Sequence, residues 1–278
     1  MLDREEYIEQ SYFFRVLRER IEDNTPIQEV LIGIKEEILA TTKLPMAISF
    51  LVDELSHRGK VGPAMQRLSH YFAPFQTFIM TRAEDEESRL DFRIALKILE
   101  REAEFRSSGD SQPAALFIFQ FECLSRNQLG YDHGMAAVAV DPHYPRDWSE
   151  WISRIRFQLG TVDFSELIYL RSAAHLKEVR SRRNEPDYQP SYPILFDEQA
   201  GRIARANMGK DPLYMFAALQ RQLGYPTVPR PHRKPEATAF SPQLEQRFQR
   251  LESRVALLEQ EAKGGIDLSE FYKSQPKD

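Results

Sequence analysis

The side chains best suited to chemistry lie in two short segments, Tyr131-Asp132-His133-Gly134 and Asp141-Pro142-His143. Two histidines and two carboxylates can ligate a metal ion or transfer protons. Eight residues lead from His133 to Asp141, and an extended strand of that length covers roughly 26 Å at about 3.3 Å per residue. Metal–ligand bonds of about 2 Å cannot bridge that gap. The spacing therefore predicts two loop histidines beside turn-forming aspartates, with no catalytic, cofactor or metal residue assigned.

The motifs of common catalytic sites are absent from the sequence. It contains no G-x-G-x-x-G, G-x-S-x-G or H-E-x-x-H pattern. Gly209-Lys210-Asp211 lacks both the upstream glycine and the following Ser or Thr of a phosphate-binding loop. The single cysteine, Cys123, allows neither an internal disulfide nor a cysteine-based zinc site, and we expect it to be a buried apolar side chain. Glu122 and Cys123 are expected on opposite faces of a strand.

The composition predicts a folded cytoplasmic protein. The 278 residues are 42% hydrophobic and 28% charged, with a net charge of −5. The apolar runs are shorter than the roughly 18 residues that a membrane-spanning helix needs, so we expect no membrane partner. The acidic N-terminus lacks the features of a signal peptide, and a single cysteine fits a reducing compartment.

Two basic clusters are the candidates for binding nucleic acid. They consist of Lys177, Arg180, Arg182 and Arg183, and of Arg230, His232, Arg233 and Lys234. Because the chain is acidic overall and has no recognisable nucleic-acid-binding motif, we expect a solvated helix end and a soluble linker instead. Nucleic-acid binding is the third and weakest hypothesis, and it predicts an affinity that falls steeply with salt.

The first hundred residues carry apolar side chains at spacings of three and four, which is typical of amphipathic helices. The pattern predicts about five or six helices. Their starts are expected at Thr25-Pro26, Leu44, Pro63, Pro74 and Ser88, and Gly59 is expected to end the second of these helices. The polar stretch 106–113 predicts a boundary, so residues 1–106 are interpreted as a helical domain.

Short apolar and aromatic runs after residue 113 predict strands. The expected strands are 115–121, 135–140 and 167–170, and a hairpin is expected from 192–197 and 202–206 around Gly201. Asp147 is expected to start a helix with one apolar stripe, formed by Trp148, Trp151, Ile152, Ile155 and Leu159. Asp211-Pro212 and Gly224 are expected to bound another helix.

These elements predict an α+β fold class. A helical region precedes a mainly antiparallel small sheet with flanking helices, which occupies 114–225, and a C-terminal coiled-coil-like helix follows. The order of elements over 88–224 resembles that of roadblock and related profilin-like domains. This resemblance concerns topology, without a shared sequence motif, and it implies a protein-interaction scaffold.

A proline-rich stretch and a heptad pattern occupy the C-terminal part of the sequence. Residues 226–242 contain repeated prolines and predict an extended linker. Residues 243–262 then predict a short coiled coil, and 263–278 predict a flexible tail that offers apolar residues to an unknown protein partner. The apolar seam of the heptads is formed by Leu244, Phe248, Leu251, Val255 and Leu258.

The charges beside this seam favour a parallel homo-oligomer. Arg247 can pair with Glu252 of another copy, and Arg254 can pair with its Glu259. The pattern Arg-apolar-x-x-apolar-Glu occurs twice and resembles that of trimeric parallel coiled coils, which favours a trimer over a dimer. The alternative is an amphipathic helix that folds back onto its own domain.

The leading hypothesis is a non-catalytic protein-interaction or scaffold protein that self-associates through 243–262. The alternative is an enzyme or a small-ligand-binding protein with its site in 114–224. That site would use His133, Asp141, His143, or the region of Trp148 and Trp151.

Overall fold

The computed structural model describes residues 2–22, 25–88, 90–109 and 111–230. The described residues belong to one compact unit, Met1–Pro231, and a second unit, His232–Asp278, lies outside them. Over the described ranges the chain forms helices, which in order are α1 (Arg4–Glu22), α2 (Ile27–Glu37), α3 (Leu44–Arg58), α4 (Gly62–Arg67), α5 (Pro74–Ala83), α6 (Phe92–Ser107), α7 (Pro113–Arg126), α8 (Tyr131–Ala139), α9 (Arg146–Ile155), α10 (Phe164–Leu170), α11 (Ala173–Arg183), α12 (Glu198–Ala206) and α13 (Pro212–Leu223).

The predicted α+β fold class is wrong, because four of the five segments predicted as strands are helical and the fifth, 192–197, forms only an isolated bridge at Phe196. Residues 115–121 lie inside α7, 135–140 cover most of α8 and its C-cap, and 167–170 end α10. The second strand of the predicted hairpin, 202–206, is part of α12. In the described ranges, extended pairing is limited to two isolated bridges, Leu159 with Val162 and Ser172 with Phe196. The topological resemblance to roadblock and profilin-like domains is therefore also wrong.

The misassignment of α7 has a physical reason. All side chains from Ala115 to Leu124 are buried, so this helix is surrounded by protein on every side. A helix that is apolar all round shows no 3.6-residue periodicity, and its sequence looks like that of a buried strand. Its polar residues have buried partners: Gln120 accepts a hydrogen bond from the Tyr144 hydroxyl at 2.7 Å.

The helices predicted for the first hundred residues are confirmed. Gly59 adopts φ +70° and ends α3, with its N–H donating to the Leu55 carbonyl. Two predicted caps differ. Pro26 occupies the N-cap of α2 without a side-chain hydrogen bond. The carboxylate of Asp91, rather than the Ser88 hydroxyl, caps α6 by accepting from two backbone N–H groups.

The packing continues across the stretch 106–113. α1 and α6 both precede this stretch and pack along each other. α5 also precedes it and packs against α8, which follows it. Arg106 at the end of α6 also forms a buried ion pair with Asp141, which follows α8. Contacts therefore join the helices on the two sides of the predicted boundary.

An aromatic cluster organises the helices after α7. The Phe117 ring lies 5.7 Å from Trp148, 5.1 Å from Trp151 and 6.5 Å from Phe196, measured between ring centroids. The predicted apolar stripe of α9 is confirmed for Trp148, Trp151, Ile152 and Ile155, which are all buried, but Leu159 lies beyond the end of the helix at Ile155. The helix predicted after Asp211 is confirmed as α13, whose first turn is capped by the Asp211 carboxylate and whose end is marked by Gly224 at φ +71°.

The segment after α13 packs against α7. The Tyr225 hydroxyl donates to Glu122 Oε2 at 2.6 Å, and Asn127 Nδ2 donates to the Pro229 carbonyl at 3.1 Å. The first residues of the predicted linker are therefore held on the helical unit, whereas the rest of it lies outside the described residues. Among the helices of the described ranges, none is long and apolar enough to cross a membrane.

Candidate functional site

A pocket of about 410 Å³ opens between α9, α10 and the extended segment around Tyr192. We call it the Arg171 pocket. Its volume falls in the range of roughly 300–1,000 Å³ that is usual for small-ligand sites. Its apolar lining consists of Trp151, Ile155, Val162, Leu167 and Leu170, and its polar lining consists of Arg154, Gln158, Glu166, Arg171 and Tyr192.

The apolar floor of the pocket follows from the helical periods of α9 and α10. Trp151 and Ile155 are one helical turn apart, so they lie on the same face of α9. Trp151 is 4% exposed and Ile155 is 1% exposed, and Leu167 of α10 is 6% exposed. These side chains present apolar surface at the base of the pocket while they remain packed in the core.

One backbone connection places Tyr192 beside Arg171. The Arg171 carbonyl accepts from the N–H groups of Leu195 and Phe196 at 2.8 and 3.1 Å. Phe196 is 2% exposed and belongs to the aromatic cluster. With the segment fixed there, the Arg171 guanidinium carbon lies 4.5 Å from the centroid of the Tyr192 ring. This cation–π contact orients the Arg171 side chain at the pocket wall.

A close approach of α12 supports this connection. Ser172 is fully buried, and its hydroxyl donates to the Tyr169 carbonyl at 2.7 Å. A Cβ atom at Gly201 of α12 would lie 2.1 Å from Ser172 Oγ. Glycine at 201 therefore lets α12 pack directly against the residue that follows Arg171.

Two positively charged side chains, Arg154 and Arg171, and one negatively charged side chain, Glu166, line the pocket. Neither Arg154 nor Arg171 forms an ion pair or a side-chain hydrogen bond with any described residue. Burial, followed by the charge of Arg154, lowers the pKa of Arg171, although a guanidinium stays protonated at neutral pH. Other arginines near α9 are paired, Arg146 with Glu150 and Arg156 with Asp132. An anion bound between Arg154 and Arg171 would relieve their mutual repulsion.

The residues that the sequence singled out for chemistry have separate partners. His133 is an exposed residue in the first turn of α8, and Asp132 beside it pairs with Arg156 at 2.5 Å. Asp141 instead pairs with Arg106 at 2.5 Å and is 1% exposed. The sequence analysis estimated the distance from His133 to Asp141 by treating the residues between them as an extended strand. That estimate was wrong, because residues 131–139 are helical. Among the described residues, there is no group of three metal-ligating side chains.

Asp141 and His143 lie in the turn that follows α8, as the sequence predicted, but Asp141 is buried and His143 is half-buried. The backbone N–H of His143 donates to Asp141 Oδ1 at 2.9 Å. Burial, followed by the charge of Arg106, lowers the pKa of the half-buried His143 ring. The Arg106 charge and its hydrogen bond outweigh burial and lower the pKa of Asp141. These contacts assign both residues to the interior packing of the helical unit.

The prediction for Cys123 is confirmed, since the side chain is fully buried and burial raises the pKa of its thiol. The prediction that Glu122 and Cys123 lie on opposite faces of a strand is wrong, because both are buried residues of α7.

The first basic cluster is largely engaged within the unit. Lys177 pairs with Glu198, and Arg182 pairs with Glu178. Arg180 donates to the Tyr188 carbonyl at 2.9 Å, and the Arg183 guanidinium lies 4.5 Å from the Tyr188 ring. Of the second cluster, Arg230 is exposed and the other residues lie outside the described part.

The predicted oligomerisation residues also lie outside the described part of the chain. They are Leu244, Arg247, Phe248, Leu251, Glu252, Arg254, Val255, Leu258 and Glu259.

Sequence reasoning missed Arg154, Arg171 and Tyr192. It did indicate the region of Trp151 within the alternative of a ligand site in 114–224. Only the positions of the two arginines in the sequence could have indicated the site. Arg154 lies within the apolar stripe of α9, and Arg171 directly follows an apolar run. No protein-family model, no curated protein and no solved structure matches this chain.

Proposed function

We propose that this chain is a non-catalytic binding protein whose Arg171 pocket holds a ligand with an anionic group on an apolar body. The observation that carries this proposal is the pair of arginines that form no ion pair with any described residue, beside a floor of buried apolar side chains. The guanidinium groups of Arg154 and Arg171 would donate charge-assisted hydrogen bonds to the anion. The apolar body would displace water from Trp151, Ile155 and Leu167.

Two other cavities differ from the Arg171 pocket in their charges. The cavity between α11 and α12 has charged side chains, but they neutralise one another, as in the pairs of Lys177 and Arg202 with Glu198. The cavity lined by Phe72, Phe78 and Ala137 has no charged side chain among the described residues of its lining. The Arg171 pocket thus combines apolar surface with two arginines that are unpaired within the described part of the chain, which favours it as the site for an anionic ligand.

The proposal is tested with 3-phenylpropanoate and its neutral counterpart, 3-phenylpropanamide. We expect the carboxylate to shift NMR signals of α9, α10 and Tyr192, including the Trp151 indole N–H, and the amide to bind more weakly. Replacement of Arg171 by glutamine should weaken carboxylate binding about tenfold, the value of one charge-assisted hydrogen bond of roughly 1.4 kcal/mol.

The matched control is Arg146→Gln, which removes an exposed arginine from the ion pair with Glu150 on α9. This variant should bind 3-phenylpropanoate like the unmodified protein. Equal affinity for the carboxylate and the amide, or no loss of affinity in Arg171→Gln, would count against the proposal.

Self-association through 243–262 remains a proposal that rests on the sequence. It is supported by the heptad seam and by the flanking Arg and Glu residues. A parallel trimer would give one particle several Arg171 pockets and would increase its avidity for a multivalent partner. A cytoplasmic location is likewise a proposal, supported by the single cysteine.

A further inference from the structure

We infer that Glu166 makes the Arg171 pocket selective for an amino-acid-type ligand, in which a carboxylate and an N–H donor flank an apolar side chain. This inference rests on the proposed function and specifies its ligand class. The ligand is either a free apolar amino acid or the carboxyl-terminal residue of a peptide, because both carry the same three groups.

The first observation is that the pocket contains both signs of charge without an internal ion pair. Glu166 lines the pocket together with Arg154 and Arg171. It forms no ion pair or side-chain hydrogen bond with any residue of the described ranges. The carboxylate of Glu166 therefore remains available to accept a hydrogen bond, just as the two guanidinium groups remain available to donate.

The second observation is that these charged groups come from different elements of the fold. Arg154 comes from α9, Glu166 comes from α10, and Arg171 follows α10 beside Tyr192. Leu167, the residue after Glu166, is buried in the floor. Polar groups of opposite charge thus come from different elements around one apolar surface, which is the pattern expected for a ligand with several distinct functional groups.

The charge of Glu166 discriminates between anionic ligands. A plain carboxylic acid or a phosphate would meet the arginines but would be repelled by Glu166. A ligand with an ammonium group or an amide N–H would instead donate a hydrogen bond to the Glu166 carboxylate. Its apolar side chain would then rest on Trp151 and Ile155. Electrostatic complementarity of this kind provides specificity.

The inference is tested with three probes that share a phenyl group and a carboxylate. L-Phenylalanine carries an ammonium group, N-acetyl-L-phenylalanine carries an amide N–H, and 3-phenylpropanoate carries neither. We expect L-phenylalanine or its acetyl derivative to bind the full chain at least about fivefold more tightly than 3-phenylpropanoate. Tighter binding of L-phenylalanine identifies a free amino acid, and tighter binding of the acetyl derivative identifies a peptide carboxyl terminus.

The variant Glu166→Gln isolates the role of the carboxylate. Glu166 is exposed, so this substitution leaves the fold intact. It should weaken the binding of the probe that carries an N–H group and strengthen the binding of 3-phenylpropanoate. The preference for a ligand with an N–H group should then be lost. The matched control Glu150→Gln, on the exposed face of α9, should retain the preference.

The outcomes separate the inference from the proposed function. If 3-phenylpropanoate binds as tightly as the other probes, or if Glu166→Gln shifts all three affinities in the same direction, the inference is wrong and the proposed function stands. If no carboxylate probe binds, both are wrong.

Discussion

At the scale of single residues, the buried pair of Arg106 and Asp141 shows how the interior accommodates charge. Arg106 also pairs with Glu102 at 2.9 Å, and all three side chains are almost completely buried. Gln120 donates to Glu102 Oε1 at 2.8 Å, which extends the network to α7. Removing such charges from water is costly, so the pairs stabilise the protein only while all partners remain in place.

Replacement of Asp141 by asparagine should therefore destabilise the protein at neutral pH. The loss of one partner from a buried ion pair costs about 3 kcal/mol. Since the folded-state pKa of Asp141 is lowered, its contribution is present above the unfolded value of about 4 and is lost as the pH falls through the folded value. Urea unfolding at pH 7 and pH 3 should show a large difference between wild type and variant at pH 7 and a smaller one at pH 3.

The matched control for this prediction is Asp132→Asn. Asp132 belongs to an exposed pair with Arg156, and exposed pairs contribute little to stability. This variant should unfold like the wild type at both pH values. An Asp141→Asn protein that is as stable as Asp132→Asn at pH 7 would refute the role assigned to the buried pair.

At the scale of elements, the helix ends were predicted correctly where a residue type marks them. The helix α7 was predicted as a strand, because burial on every face hides its helical periodicity. Gly59, Asp211 and Gly224 mark helix ends through their own backbone or side-chain geometry, so the sequence alone located them. α7 is buried on every face, and its aromatic residues gave no helical period. The Arg171 pocket was not predictable, because backbone hydrogen bonds from Leu195 and Phe196 to the Arg171 carbonyl bring the distant Tyr192 to Arg171.

Replacement of Gly201 by alanine should loosen the element that shapes this pocket. The added Cβ would lie 2.1 Å from Ser172 Oγ and 2.5 Å from Ser172 Cβ. Overpacking of this kind costs about 1–3 kcal/mol. Because Ser172 lies between Arg171 and α11, we also expect weaker binding of carboxylate probes. Thermal unfolding and NMR titration measure the two effects.

Gly33→Ala provides the comparison within another helix. A Cβ at Gly33 of α2 would approach only the end of the Arg20 side chain, at 3.3 Å. Alanine in a helix interior is favoured over glycine by up to about 1 kcal/mol, so this variant should be as stable as the wild type or more stable. The explanation for Gly201 fails if the two variants shift the unfolding temperature in the same direction.

At the scale of the whole molecule, the proposed ligand site lies in the helical unit, and the proposed self-association depends on the heptad segment. Tyr225 and Asn127 hold the chain on the unit as far as Pro229. The heptad residues come later, between 243 and 262. Changes in the seam should therefore alter the oligomeric state without altering the Arg171 pocket.

The double variant Leu251→Asp, Val255→Asp tests this separation. Light scattering on the wild type should give about three times the chain mass of 32.4 kDa, as the repeated Arg-apolar-x-x-apolar-Glu pattern predicts. Charges at the a and d positions of the seam should reduce it to one chain mass. The control Gln249→Asp, Ser253→Asp adds the same charge at positions b and f and should remain a trimer. A wild type with the mass of one chain would exclude self-association. Binding of 3-phenylpropanoate should be equal in all three proteins, because the residues that line the pocket lie between Trp151 and Tyr192.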